Sequence, residues 1–258
     1  MSAASTVYGI VARDLARSSR QTSRLLGGVA RPLLWLLLLG TGYNAIARPP
    51  GGMPYQAFVF PGIVVMAARF GAMLTSISTV YDREFGMLRL MLASPAGVAA
   101  ILTGRGVAGA LIGILQGAIV LGFAPLALPV TARSLAEAAG ALALVAAASA
   151  MLGLLVAVRL RSVENFAGVI NVVLFPLLFL SGALYATHGM PLLLRTLAQI
   201  NPVSYQVDLM RHALRQGAEF SAATDLAVVL AVTTVAFGLT AALFDPEQRF
   251  VRQGRPPD

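Results

Sequence analysis

The chain has 258 residues, of which 57% are hydrophobic and only 12% are charged, and its formal net charge is +8. A soluble domain carries about a quarter charged residues, so water is excluded as the main solvent. All nineteen basic residues are arginines, which excludes a P-loop ATPase because that motif requires a lysine. With no cysteine and only two separated histidines, His188 and His212, we predict no catalytic residue and no metal site. The dispersed arginines favour lipid headgroups over nucleic acid as the counter-charge.

Apolar stretches of about 20 residues recur along the chain and predict an all-α integral membrane fold with six transmembrane helices. The stretches are continuously apolar, which favours helices over a barrel of alternating strands. We place the spans at 29–47, 57–80, 106–128, 135–158, 166–186 and 225–244. An alternative for the first is a cleaved signal peptide, with 33–39 as its apolar core and 45–47 as its cleavage site.

The chain is predicted to form a single domain, 1–258, with both termini in the cytoplasm. Thirteen arginines lie on the side that holds the termini and five on the other, and positive charge marks the cytoplasmic side. The domain divides into an amphipathic helix at 1–28, the six-span bundle at 29–244 and a cytoplasmic tail at 245–258.

Four arginines precede the first span at intervals of four, three and four residues, which places them along one stripe of a helix. They are Arg13, Arg17, Arg20 and Arg24. This pattern is typical of an interfacial helix on the cytoplasmic leaflet. Lipid anchoring alone and docking on a partner protein both remain open.

Segment 81–95 mixes charged with large apolar side chains directly after the second span. A cytoplasmic helix that ends at Pro95 is predicted, because four large apolar residues fall at helical spacing and form a face for a partner: Phe85, Leu88, Met91 and Leu92. The alternative is a membrane-surface helix whose charged side chains are solvated, namely Asp82, Arg83, Glu84 and Arg89.

Segment 81–95, followed by Gly104 and Arg105, resembles the signature of bacterial ABC-2 type permeases, which include daunorubicin-resistance and nodulation-type lipo-oligosaccharide exporters. Segment 201–211 is similar to a second family pattern, with Asn-Pro followed by Asp and Arg. The predicted topology agrees with the family over essentially the full length. Met87 departs from the pattern, because many members carry a small hydroxyl residue there.

The resemblance implies a membrane-spanning permease subunit of an ATP-binding-cassette exporter in the bacterial inner (plasma) membrane. Its partners would be a second, identical permease chain and two copies of a P-loop ATPase, which would bind ATP and Mg, so that this chain holds no cofactor and is no enzyme. The N-terminal arginines and a coupling segment would dock on the ATPases. The coupling residues implied are Asp82, Arg83, Glu84, Phe85, Gly86, Leu88 and Met91.

Arg69 lies near the middle of the second span, where a charged side chain costs about 2.5 to 3.5 kcal/mol. It is predicted either to line a translocation pathway and meet an anionic group, or to reach water from a bent span. Gln116 and Asn171 are further pathway candidates, with interhelical hydrogen bonding as their alternative role. Because such polar groups are sparse, the sequence favours an amphipathic or lipid-like substrate.

Two other functions fit the hydrophobicity of the chain. An ion-gradient-driven secondary transporter is expected to carry several buried ionisable residues in its spans, and Arg69 is the only mid-span charge of the sequence. A membrane scaffold without transport activity leaves Arg69 and segment 82–95 without a role.

Two small-residue stripes predict close helix packing in the membrane: Gly109, Gly113 and Gly117 in the third span, and Ala146, Ala150 and Gly153 in the fourth. Between the fifth and sixth spans, segments 190–197 and 202–214 predict two short extracytoplasmic amphipathic helices. Asn201 is the expected cap of the second helix, and Asp208 is expected to pair with Arg211 across one turn.

Overall fold

The computed structural model describes residues 3–44, 52–86, 97–160 and 162–253, and all regular structure within these ranges is helical. The helices are α1 Ala3–Ser19, α2 Thr22–Asn44, α3 Tyr55–Thr75, α4 Ile77–Glu84, α5 Val98–Leu121, α6 Ala124–Ala127, α7 Ala132–Ala157, α8 Val163–Phe179, α9 Leu192–Ile200, α10 Pro202–Ala213 and α11 Ala222–Gln253. A short 3-10 helix, Thr187–Gly189, precedes α9.

Five of the predicted spans have counterparts that are long and apolar enough to cross a membrane. In the described residues these are Leu25–Tyr43, Tyr55–Glu84, Val98–Ala127, Ala132–Ala157 and Ala222–Phe244. The all-helical membrane fold is therefore confirmed, with helix ends that differ from the predicted ones by up to eight residues at the start of the third span.

The predicted span at 166–186 is not one continuous helix. Helix α8 has 17 residues, about 25 Å, and ends at Phe179. The chain then turns through Gly182, whose φ of 77° is in the left-handed region, and Arg211 donates a hydrogen bond to the Gly182 carbonyl at 2.6 Å. The six-span topology therefore stays a prediction.

Helix α3 is the central element of the bundle. In an 18-residue stretch of its span, 94% of the residues are buried, whereas 17% are buried in the corresponding stretches of α2 and α11. It is apolar on all sides, as expected for a helix surrounded by others, and it packs against α2, α5, α7 and α10. The outer helices expose large apolar side chains such as Leu34 and Leu38, which meet lipid or protein in a membrane.

The glycine stripe of α5 packs against α3 and α7, which confirms the predicted packing role. A Cβ added at Gly113 would lie 2.6 Å from the Ala68 carbonyl oxygen, and one at Gly109 would lie 3.1 Å from the Ala150 Cβ. In the second stripe, a Cβ added at Gly153 would lie 3.0 Å from the Met73 Cα. Such contacts let helix backbones approach each other closely.

The N-terminal amphipathic segment is not one continuous helix over 1–28. Helix α1 ends at Ser19, whose hydroxyl donates to the Ala16 carbonyl, and α2 begins at Thr22. Serine hydroxyls compete for backbone groups in this way and favour helix ends. Helix α1 rests on α5 through Ile10, which is buried against Gly104.

Helix α4 belongs to the second spanning stretch, Tyr55–Glu84, and covers only the first residues of the cytoplasmic helix predicted at 81–95. Helix α4 ends at Glu84, and Gly86 has a φ of 74°, a conformation that closes a helix and that glycine adopts without steric cost. Phe85 therefore lies just beyond the end of α4 and not within a helix continuous from residue 81, and a helix over the rest of the segment stays a prediction. Segment 87–96, with Leu88 and Met91, lies outside the described residues.

Helices α9 and α10 lie where two helices were expected before the last span, and their extracytoplasmic location stays a prediction. Asn201 Oδ1 accepts the Val203 backbone N–H at 3.0 Å, and Pro202 occupies the first turn of α10. In contrast to the amphipathic surface helix expected, α10 is largely buried against α3, α7 and α11. Tertiary packing thus places a short polar helix inside the bundle.

Candidate functional site

Asp82 lies at the centre of a charged cluster where α1, α4 and α5 meet. Arg13 Nη2 donates to Asp82 Oδ2 at 3.0 Å, Arg105 Nη2 donates to the same oxygen, and Arg17 Nη1 lies 3.7 Å from Oδ1. The Asp82 residue is only 7% exposed. It is therefore an internal anchor and not the solvated carboxylate of a plain membrane-surface helix. Its role in coupling stays a prediction.

Arg105 supplies the buried positive charge of this cluster. The residue is 2% exposed, and its Nη1 also donates to Thr79 Oγ1 at 2.9 Å and to Ser78 Oγ at 3.4 Å. In sequence Arg105 is a basic residue near the predicted third span and belongs to the pattern that resembles the family signature. Its position on α5 opposite α4, which gives it a carboxylate partner, is a tertiary feature.

The carboxylates of this cluster stabilise the positive charge of Arg13 on α1. Burial disfavours the charged guanidinium of Arg13, but the carboxylates of Asp14 and Asp82 outweigh that effect, so the pKa of Arg13 is raised above its ordinary value. Asp14 is 2% exposed and accepts from Arg13 at 3.0 Å. Arg13 therefore keeps its positive charge between these two carboxylates.

Arg83 ties the same junction to α7. Its Nη1 donates to the Val158 carbonyl at 2.5 Å and to the Leu160 carbonyl at 3.2 Å. These carbonyls lie at the C-terminal end of α7, where free acceptors and the helix dipole favour a cation. The end of α4 is therefore held by α1, α5 and α7 together.

Glu84 and Phe85 project from this anchored junction. Glu84 is exposed, and Phe85 is 73% exposed, with its ring stacked on Tyr81 at 6.2 Å between centroids. The Arg17 guanidinium lies over the other aromatic ring, 5.6 Å from the Tyr81 centroid. A large exposed aromatic ring beside an exposed carboxylate is suited to a protein partner.

The predicted docking stripe of α1 is only partly available. The side chains of Arg13 and Arg17 are 39% and 44% exposed but turn toward Asp82. Arg20 is exposed in the turn before α2, and the side chain of Arg24 lies outside the described part of the chain.

Arg69 faces the interior of the bundle. It is 3% exposed, and its Nη1 donates to Gln206 Oε1 of α10 at 3.0 Å. Its Nε donates to no group among the described residues. The geometry agrees with the interior-facing alternative for this arginine rather than with a side chain that reaches water. Sequence reasoning missed Gln206, whose signal was a polar residue inside the second family-like segment.

Gln116 is buried between α2 and α3, against Gly28 and Gly71. Gly71 and Arg69 are two residues apart on α3, which places Gln116 and Arg69 on different faces of that helix. The side chain of Asn171 lies outside the described part of the chain. The structure therefore does not bring Gln116 and Arg69 together.

The predicted pair of Asp208 and Arg211 is confirmed at 3.8 Å, but it is buried and not exposed. Asp208 also accepts the backbone N–H groups of Glu219 and Phe220 at 2.9 and 2.7 Å. Arg211 lies 4.9 Å from the Phe58 ring centroid. This pair fastens α10 and the following loop to α3.

A buried central helix, apolar helices around it and a charged cluster at one end define a polytopic α-helical membrane protein. The chain belongs to the ABC-2 type transporter family, whose sequence model matches residues 6–214. It is thus the membrane subunit of an ABC transporter, and such permeases partner with ATP-binding subunits.

Several relatives of this family are similar to the chain over most of its length. Nodulation protein J of Rhizobium leguminosarum bv. trifolii is 32% identical over 197 residues, 72% of each chain. The putative transport permease ycf38 of Cyanophora paradoxa is 28% identical over 211 residues, 80% of this chain and 72% of its own. The probable multidrug ABC transporter permease YbhR of Escherichia coli K12 is 29% identical over 190 residues, 72% of this chain and 50% of its own.

Proposed function

We propose that the chain is the permease of an exporter that moves an amphipathic or lipid-like substrate outward, driven by ATP that a separate subunit hydrolyses. Two copies of the chain pair with two ATPase subunits in the bacterial inner membrane, with both termini in the cytoplasm. ATP and Mg bind the ATPase, and this chain holds neither. The name of one relative, a probable multidrug ABC transporter permease, fits a transported molecule of this class.

The observation that carries the proposal is the exposed pair Glu84 and Phe85 at the end of α4. The cluster of Asp82, Arg83 and their partners fixes this end against three other helices. Helix α4 follows the buried helix α3 after a single residue, Ser76. A force applied by a partner at Phe85 is therefore transmitted into the helix that carries Arg69.

The test is a variant with Glu84→Ala and Phe85→Ala, reconstituted with the ATPase that co-purifies with the wild type. We expect ATP hydrolysis that no longer depends on substrate, weaker co-purification and loss of export. The matched control is Glu164→Ala with Leu126→Ala, which removes an exposed carboxylate and an 85% exposed leucine elsewhere.

Full export by the double variant would remove the coupling role of Glu84 and Phe85. Export that continues without ATP but collapses when an ionophore dissipates the ion gradient would replace the proposal with secondary transport. No translocation under either condition, by a folded and inserted protein, would leave the scaffold alternative.

A further inference from the structure

Three side chains that sequence reasoning left apart meet where α10 contacts the start of α11. They are Asp208 and His212 of α10 and Asp225 of α11, and one potential ligand atom of each lies within 4.8 Å of the others. Asp208 and His212 are four residues apart and so share one face of α10. The sequence prediction of no metal site counted histidines and cysteines and did not consider this spacing.

Asp225 is a buried carboxylate without a hydrogen-bond donor. The residue is 0% exposed, and neither of its oxygens accepts a hydrogen bond from the described residues. His212 Nε2 lies 3.4 Å from its Oδ2. Burying an ionised carboxylate costs free energy unless it is paired or coordinates a cation. A cation bound at Asp225 would offset that cost.

The distances around His212 suit a first-row metal ion. Its Nε2 lies 3.4 Å from Asp225 Oδ2 and 2.9 Å from the Phe220 carbonyl oxygen. Ligand atoms bonded to zinc at about 2.0 to 2.2 Å are separated by about 2.8 to 3.6 Å, according to the coordination geometry. His212 and Asp225 are therefore already at ligand spacing, and Asp208, whose ligand atom lies within 4.8 Å of theirs, would move closer by about 1 Å.

Backbone donors fix the orientation of the Asp208 carboxylate. The backbone N–H groups of Glu219 and Phe220 donate to its carboxylate at 2.7 to 2.9 Å. Fixed donors of this kind orient a ligating carboxylate as outer-shell partners do in metal sites, and an ionised carboxylate has about four acceptor positions. The His212 side chain is 32% exposed, which leaves a route for the ion and for water.

We propose that Asp208, His212 and Asp225 bind a divalent transition-metal ion, with zinc as the best match to one imidazole and two carboxylates. The ion joins α10 to the start of α11 and neutralises the buried Asp225. Since α10 also carries Gln206, the partner of Arg69, the metal fixes the helix that faces the buried arginine.

The test measures zinc binding by the full chain, purified in detergent with a tag that contains no histidine and stripped with a chelator. Zinc is titrated in competition with a chromophoric chelator, and thermal unfolding is followed in parallel. We expect one equivalent per chain and a higher unfolding midpoint with zinc. Asp225→Asn and His212→Gln should each lower the affinity at least about tenfold, which is the lower end of what even outer-shell changes cause.

The matched control is His188→Gln, which removes the other histidine of the chain and should bind zinc as the wild type does. Equal zinc affinity of the wild type and the His212→Gln variant would overturn the proposal, as would binding too weak to compete with the chelator. If Asp225→Asn does not fold, zinc binding by the His212→Gln variant is the deciding measurement, because His212 is partly exposed and its replacement disturbs folding less. Because no transport is measured, this result is independent of the exporter proposal.

Discussion

At the scale of single residues, two buried charges of this protein have a partner on another helix. Asp82 binds arginines from α1 and α5, and Arg69 donates to Gln206 on α10. Charged groups in an apolar bundle persist only with such partners, because an isolated charge costs several kcal/mol. Removing one partner therefore has a larger effect than removing both.

Replacing Arg105 with glutamine is expected to lower the free energy of unfolding by about 3 kcal/mol, the lower end for a broken buried pair, since Arg13 and Arg17 remain. Unfolding by a denaturing detergent, followed by the fluorescence of Trp35, measures the change. Arg133→Gln, which breaks an exposed pair with Glu137, should change it by less than about 1 kcal/mol. Equal effects of the two variants would contradict the internal role of Arg105.

A double-mutant cycle separates the structural from the transport role of Arg69. Gln206→Leu leaves the guanidinium without its acceptor and should destabilise the protein by about 1 to 3 kcal/mol. The double variant with Arg69→Leu replaces both polar groups and should recover most of that stability. If Arg69 meets substrate, the stable double variant does not export. Normal export by it would restrict Arg69 to a structural role.

At the scale of helices, close packing decides the architecture. Small residues on α5 allow α3 and α7 to approach, and the positive φ of Gly86 ends α4 so that Phe85 becomes exposed. The periodicity of the sequence predicted these helices, but it did not predict that α10 is buried. Burial of α10 depends on partners such as Arg69, which lie more than a hundred residues away along the chain.

Gly113→Ala should destabilise the bundle by about 1 to 3 kcal/mol, because the new methyl group would lie 2.6 Å from the Ala68 carbonyl oxygen and force α3 and α5 apart. Gly140→Ala is the control, since its added Cβ has no neighbour within 4 Å. That variant should be neutral or slightly stabilised, as alanine favours helix over glycine. Unfolding midpoints in detergent measure both, and an unaffected Gly113→Ala variant would refute close packing at this contact.

At the scale of the whole molecule, the arginine distribution predicts which end of the bundle faces the cytoplasm. The chain has no cysteine, so a thiol reagent labels only a cysteine that is introduced at a chosen position. Phe85→Cys should be protected from a membrane-impermeant thiol reagent added outside spheroplasts, and Gly217→Cys should react. Both should react after permeabilisation, whereas the reverse pattern of protection would invert the proposed orientation.

The sequence by itself determined the membrane as solvent, the family, five of the spanning helices and the Asn201 cap, because composition, hydrophobic runs and capping residues are local properties. Only the tertiary structure decided that Asp82 is an internal anchor, that α10 is buried and that Asp208, His212 and Asp225 meet. These features depend on which distant side chains face each other. Such contacts follow from packing in three dimensions, which the periodicity of one segment does not contain.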